Sequence, residues 1–199
     1  MSMTGRLIAV LVISLSVVTS GCGVFIVGGA ATAASVAHDR RTAGTILEDQ
    51  AIELKTYQAL RDDSERIADT RINVTSYDRV VLLSGEVPSQ AIAEWATNVA
   101  KNMDNVIDVH NELAVQAPSS LGSRSNDAWI TTRAKSALLQ VKIPGFDPTR
   151  VKVVTERGTV YLLGLVTQEE GQAATDSVRR VNGVNQVVTL FRYIAATST

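Results

Sequence analysis

The same unit occurs twice in this chain, and that repetition limits the possible folds more than any other feature. DQAIELKTYQALR from Asp49 and DAWITTRAKSALL from Asp127 superimpose Ile52 on Ile130, Ala59 on Ala137 and Leu60 on Leu138. Further on, VVLLSGEV ending at Val87 matches VYLLGLV ending at Val166 and brings Gly85 onto Gly164, after which NVIDVHNEL from Asn105 matches GVNQVVTLF from Gly183. The separation stays at 78 to 79 residues. Similarity at a fixed offset marks a duplicated supersecondary unit, so a fold that fits one copy has to fit both.

Within each copy the apolar periodicity changes in a fixed order. Ile130, Ala134, Ala137, Leu138 and Val141 recur at helical spacing and predict one buried stripe. Two β-branched runs follow, RINVTSY then RVVLLSGEV in the first copy and RVKVVTE then GTVYLLGLV in the second. Asp78 and Arg79, or Arg157 and Gly158, separate them as turn residues. A second helix is expected from about Ser89 to Asn102 and from about Gln168 to Arg180, and the closing strands end at Val115 and Ile194. Gly85 and Gly164 sit inside strand patterns, which predicts a bulge or a close backbone approach, here by a helix. The fold class is α+β: two tandem small domains, each helix-strand-strand-helix-strand, with helices packed on a three-stranded sheet.

This order, the paired glycines, and the stretches TRINVTSYDRVVLLSGEV, SNDAWITTRAKSALL and VKVVTERGTVYLLGLVT resemble the BON domain family, in particular its lipoproteins with two such domains. On that reading residues 45–116 form a first, acidic BON domain, 117–124 (APSSLGSR) a linker, and 125–195 a second, basic BON domain.

The amino-terminal region explains how such a pair would be held. Arg6 is its only charge, Leu7 to Val18 is uncharged, and the small residues Ser20 and Gly21 precede Cys22, the chain's only cysteine. That layout is a secretory signal with its cleavage site. An unpaired cysteine in an exported chain has no intramolecular partner and cannot build a metal cluster alone. The two histidines, His38 and His110, are far from it in sequence. Ser20, Gly21 and Cys22 resemble a bacterial lipoprotein box, although Thr19 stands where that family usually carries Leu. The resemblance implies a signal peptide over 1–21, lipid attachment at Cys22 with acyl chains such as palmitate, and a Gly/Ala-rich tether over 22–44. Gly23 in place of Asp implies outer-membrane delivery, facing the periplasm. The alternative is an uncleaved anchor, since Leu7 to Val27 carries no charge and approaches the roughly 20 residues a span needs. Two acyl chains suffice for stable attachment.

The near-neutral net charge of -1 conceals two halves of opposite sign. Gly44 to Ser123 holds thirteen Asp and Glu against six Lys and Arg, a net of -7, while Arg124 to Thr199 holds six against ten, a net of +4. A basic half can approach an anionic surface that repels its neighbour, and ordinary drift in surface charge is the plainer alternative.

Catalytic chemistry finds little support. No nucleophile has a positioned base, no phosphate-cradling glycine loop follows a strand, and neither histidine has a ligand-like partner. No enzyme, cofactor, metal site or nucleic-acid interface is expected. Asn73 opens an NVT sequon, but inside a strand.

Trp129 is the informative residue. It lies about 120° around the helix from the apolar stripe, with Thr132 and Arg133. Indole rings favour sites with one wet end, such as lipid headgroup level. Arg124 and Lys135 are near in sequence, and Ser125, Asn126 and Asp127 are expected to cap the helix, leaving first-turn N–H groups that attract phosphate oxygens. Packing of Trp129 against the first domain or the linker is the competing reading. The first copy carries Ala51 where the second has Trp129. The family resemblance implies anionic phospholipid (phosphatidylglycerol, cardiolipin) bound through this helix of the second domain, with roles in envelope integrity and at the division site. The alternative function is a periplasmic scaffold for an outer-membrane assembly or protease partner.

Overall fold

Each copy begins with a capped helix and ends in a strand returned parallel to its hairpin. In the computed structural model, which describes residues 39–195, the first copy comprises α1 (Ala43–Asp62), the single-turn α2 (Ser64–Ile67), β1 (Arg71–Tyr77), β2 (Val80–Val87), α3 (Gln90–Lys101) and β3 (Asp108–Val115). The second comprises α4 (Leu121–Leu138), a 3-10 turn (Pro148–Arg150), β4 (Val151–Glu156), β5 (Thr159–Val166), α5 (Gln168–Arg179) and β6 (Gln186–Tyr193). The expected signal, Cys22, His38 and the tether up to residue 38 lie outside the described residues.

Side-chain caps set the helix starts. Thr42 accepts from Thr45 N, Ser89 from Ile92 N, and Thr167 forms a reciprocal box with Glu170. In each sheet the hairpin is antiparallel and the third strand pairs parallel to the second, with orders β1-β2-β3 and β4-β5-β6. The turns are two residues long, and both residues take positive φ: 51° and 66° at Asp78 and Arg79, 51° and 73° at Arg157 and Gly158. That backbone twist matches the flanking strands.

Gly85 and Gly164 do accommodate a close approach, but from a neighbouring backbone and not from a helix. A Cβ on Gly85 would stand 1.8 Å from the Arg71 carbonyl oxygen, and one on Gly164 2.8 Å from that of Arg150. The paired strand edge, not helix packing, demands glycine.

Helices cover one face of each sheet. Ile52, Leu60, Val81, Leu83 and Val87 form the first core with Ala93, Ala96 and Ala100. Ile130, Ala134, Leu138, Val160, Leu162 and Val166 form the second with Ala174 and Val178. The opposite faces of the two sheets pack on each other through Tyr77, Leu82, Tyr161 and Leu163, flanked by Val154, Leu165, Val188 and Leu190. The order of layers is therefore helices, sheet, sheet, helices. Every residue of β2 is buried, as expected of a strand covered on both faces; its first four residues are apolar, and the buried Glu86 is paired with Arg71.

Charged groups fix the seam. Arg71 donates to Glu86 at 2.8 Å, within its own sheet, and to Glu156 across the seam, where Asn73 also donates at 3.1 Å. Tyr77 Oη donates to the Arg150 carbonyl at 3.1 Å, and Lys152 Nζ to Glu53 at 2.8 Å. The strap before α1 joins both domains: Arg40 donates to Glu170 at 2.9 Å, while Arg41 donates to Asp49 at 2.8 Å and stacks 3.8 Å over the Tyr77 ring. All of these residues belong to the unit Val36–Thr199.

Candidate functional site

The second domain's leading helix starts earlier than its apolar stripe suggests. Ser120 is the N-cap, its Oγ accepting from Ser123 N at 3.2 Å, so α4 begins at Leu121 inside the segment expected as linker. Ser125 and Asn126 therefore lie in the second turn and do not cap the helix. Asp127 is buried and turned inward, where its carboxylate accepts from Arg157 N and Gly158 N, both at 2.9 Å. With Ser123 N taken by the Ser120 cap, the first-turn N–H groups without an intrahelical partner belong to Leu121 and Gly122, away from Trp129 and its neighbours.

Trp129 is 48% exposed, although the adjacent Ile130 is fully buried. Its position explains the intermediate value. A Cβ at Gly183 would lie 3.6 Å from Trp129 Cζ3, so one edge of the indole rests on the glycine turn before β6 while the remainder meets water. Arg133, one helical turn on, places its guanidinium carbon 4.4 Å from the ring centroid. At this distance the cation sits over the negative face of the indole. An aromatic surface and an exposed positive charge are thereby presented together.

The other expected site residues divide by their angle around α4. At about 100° per residue, Ser125, Asn126, Thr132 and Arg133 fall within about 60° of Trp129, whereas Arg124 and Lys135 lie about 140° and 120° away on the other side. All six are exposed. Thr132 Oγ1 donates to the Ala128 carbonyl at 3.0 Å, which leaves its lone pairs outward. The structure thus groups Arg133, Ser125, Asn126 and Thr132 with the indole and separates Arg124 and Lys135 from it.

Sequence reasoning missed the neighbouring wall. A groove beside Arg133 runs past Ser136 and Gln140 to Ser177, Arg180 and Asn182 at the end of α5. Ser177 Oγ donates to the Ala137 carbonyl at 2.9 Å, holding the two helices together along it. The tandem Arg179-Arg180 at the end of the predicted second helix is the signal that could have pointed there. Two guanidinium groups, Arg133 and Arg180, line this groove and no carboxylate does. Such a surface can hold an anionic group while the indole contacts apolar material.

Among the described residues, no group of three or more His, Cys, Asp and Glu is placed to hold a metal ion, and no helix is long and apolar enough to cross a membrane.

Comparison with known proteins matches residues 48–117 and 126–195 to the BON domain family model. The chain is 38% identical over 92% of its length, and 94% of the relative's, to a Haemophilus influenzae protein named "Outer membrane lipoprotein DolP". It is 36% identical to an Actinobacillus pleuropneumoniae protein named "21 kDa hemolysin", over 78% of this chain and 79% of that one. A third relative, "Osmotically-inducible protein Y" of Escherichia coli, is 37% identical over 72% of each chain.

Proposed function

The chain belongs to the BON domain family, and from that membership we propose that it is an outer-membrane lipoprotein, anchored at Cys22 on the periplasmic face, whose second domain binds anionic phospholipid through α4. The single observation that carries the lipid reading is the half-exposed Trp129 ring with Arg133 stacked on it. An indole inserts at headgroup depth, and each cation near an anionic surface adds about 1 kcal/mol. A few such charges give reversible recognition, while the acyl anchor supplies permanence.

The lipid-binding groups sit on the basic half of the chain, and the first domain carries Ala51 where the second has Trp129. Membrane reading is therefore assigned to one domain, with the acidic domain held behind it. In the cell the protein serves envelope integrity and collects at the division site, where anionic phospholipid is the attractant.

Co-sedimentation of the 24–199 fragment with vesicles tests the reading. Binding that requires phosphatidylglycerol or cardiolipin and is lost in Trp129→Glu is expected. Equal behaviour of both proteins on anionic and zwitterionic vesicles sinks it and points to a protein partner at Trp129.

A further inference from the structure

The two leading helices differ on their solvent sides. α1 turns Leu47, Leu54 and Tyr57 outward, 65%, 57% and 44% exposed. At the offset of 78 residues α4 carries Ser125, Thr132 and Lys135 in their places. The first domain therefore keeps apolar groups outside where the second is polar, the reverse of the exchange at Ala51 and Trp129.

Leu54 and Tyr57 stand over a groove of about 650 Å³. Its floor is the outer edge of β1 from Ile72 to Thr75, and its far wall is Val154 and Thr155 of β4. The groove is open to a ligand: Asn73 is exposed, and Val74, Val154 and Thr155 are half-buried. Beyond Tyr57 it continues to Arg61 and Thr70, along the start of the same strand.

β1 is an edge strand, paired only with β2. Its two-residue hairpin makes Tyr77 and Val80 a hydrogen-bonded pair, so Thr75, Asn73 and Arg71 bond to β2 while the N–H and C=O groups of Ser76, Val74 and Ile72 point outward. Ser76 shows what such groups require: its N–H donates to Glu53 at 2.8 Å and its carbonyl accepts from Lys152 Nζ at 3.3 Å. The outward groups of Val74 and Ile72 meet no partner among the described residues. In the second copy the position of Ile72 is held by Val151, whose N–H donates to the Pro148 carbonyl. Only the first copy leaves this edge open at the floor of a groove.

We propose that the groove binds an extended, basic peptide segment of another protein, which adds a fourth strand beside β1. Pairing with the outward groups of Ile72 and Val74 satisfies the ladder, and alternate side chains meet Leu54 and Tyr57 on one side and Val154 on the other. Charge sets the sign of the partner. Glu53 and Glu156 line the groove and no Lys or Arg does, in a half of the chain with a net of -7. A lipid tail would leave the ladder amides unmet, and an inorganic ion would leave Leu54 and Tyr57 facing water.

Residues 24–199, which contain the whole unit Val36–Thr199, serve for the test. The probe is a peptide capped at both ends that alternates valine with lysine or threonine, KVTVKVT. Titration calorimetry is expected to show saturable binding at one site, and hydrogen exchange to show the Ile72 and Val74 amides slowed about tenfold or more at saturation. Of two versions N-methylated on alternate residues, one should lose binding and the other keep it, since only alternate residues face the ladder. Replacing both lysines of the probe by glutamate should weaken binding about tenfold. The double substitution Leu54→Ser and Tyr57→Ser, at exposed positions, should weaken it about tenfold or more with circular dichroism unchanged. Val74→Pro, which removes an outward N–H and spares the ladder to β2, should abolish it. Trp129→Glu should bind the peptide as the unaltered chain does, so this proposal and the phospholipid reading fail separately. The proposal is overturned by absence of saturable binding to the folded protein, by unchanged exchange at Ile72 and Val74, by both N-methylated versions behaving alike, or by the Leu54 and Tyr57 double variant binding like the unaltered chain. A concentration-dependent dimer that protects the same two amides without peptide would also overturn it, since the occupant would then be a second copy.

Discussion

Asp127 accepts a hydrogen bond from Gly158 N at 2.9 Å, tying the middle of α4 to the tip of the β4-β5 hairpin. The same carboxylate accepts from Arg157 N, and 78 residues earlier Asp49 accepts from Asp78 N and Arg79 N at 2.8 and 2.7 Å. A turn whose two central residues both take positive φ directs adjacent N–H groups to one side, and a single ionised carboxylate satisfies both. The duplicated unit is thus defined as much by one aspartate as by its apolar stripe.

Asp127→Ala is accordingly expected to destabilise the protein by about 3 kcal/mol, because two N–H groups lose a charged acceptor. Asp49→Ala should cost more, since Asp49 also accepts from Ser76 Oγ at 2.6 Å and pairs with Arg41. Urea unfolding of both variants checks the order, and a loss under about 0.5 kcal/mol for either would show the turn to be held by other means.

Gly85→Ala should be among the most damaging single changes to the first domain. Its φ of 120° disfavours any side chain, and the added Cβ would collide with the Arg71 carbonyl oxygen at 1.8 Å. At Gly164 the φ is ordinary and the approach is 2.8 Å, so Gly164→Ala should cost less. Soluble yield and midpoint of unfolding are expected to fall in the order Gly164→Ala, then Gly85→Ala.

The same two aspartates explain where the sequence was readable. Strands, turns and the order of elements were legible because β-branched runs and turn residues repeat in both copies. The start of α4 was not, because its buried face continues one turn upstream through Asp127, a charged residue that breaks the apolar stripe and makes it appear to begin at Ile130. Several competent caps lie between Ser119 and Asp127, and only the fold selects Ser120. The packing of the two sheets on each other was not legible, because the apolar residues Val80 to Leu83 do not say what covers the second face of their strand. At the candidate site, the grouping of Trp129 with Arg133 followed from helical angles, whereas the angles left open whether the ring faces water or packs on the first domain or the linker, because that depends on neighbours the helix does not encode. Arg124 and Lys135 are near Trp129 in sequence yet on the other side of α4, because nearness along a helix does not fix a shared face.

Acid should act on the seam and on the strap with opposite signs. Burial raises the Glu156 carboxyl above its ordinary value of 4.5, and Arg71 offsets only part of this. The folded state therefore holds that proton more tightly, and the stability it contributes below about pH 4.5 is lost as pH climbs through the raised value. At Glu170 burial also pushes upward, but hydrogen bonds from Arg40 and Thr167 N and the nearby guanidinium charges outweigh it and lower the value. Its contribution is present above 4.5 and is lost as pH falls through the lowered value. Urea unfolding from about pH 3 to about pH 7 should show the advantage of the unaltered chain over Glu156→Gln shrinking as pH rises, and that over Glu170→Gln shrinking as pH falls.

Salt separates the two halves of the membrane contact. Raising ionic strength from about 0.01 M to about 1 M contracts the screening length from about 30 Å to about 3 Å, which weakens the pull of Arg133 on anionic headgroups and leaves the burial of an indole nearly untouched. Arg133→Gln should therefore bind phosphatidylglycerol vesicles with a shallower salt dependence than the unaltered chain. Trp129→Ala should keep that dependence and bind about tenfold more weakly at every salt concentration, because it removes apolar area and no charge. Because half of the Trp129 ring is buried and its edge rests on the turn at Gly183, the truncation should also lower the unfolding midpoint, so affinities are compared at a temperature where both proteins are fully folded. If Trp129→Ala flattened the salt dependence while Arg133→Gln preserved it, the indole would be acting only to hold the guanidinium in place 4.4 Å above its ring, and insertion of the ring among headgroups would be the wrong account of this surface.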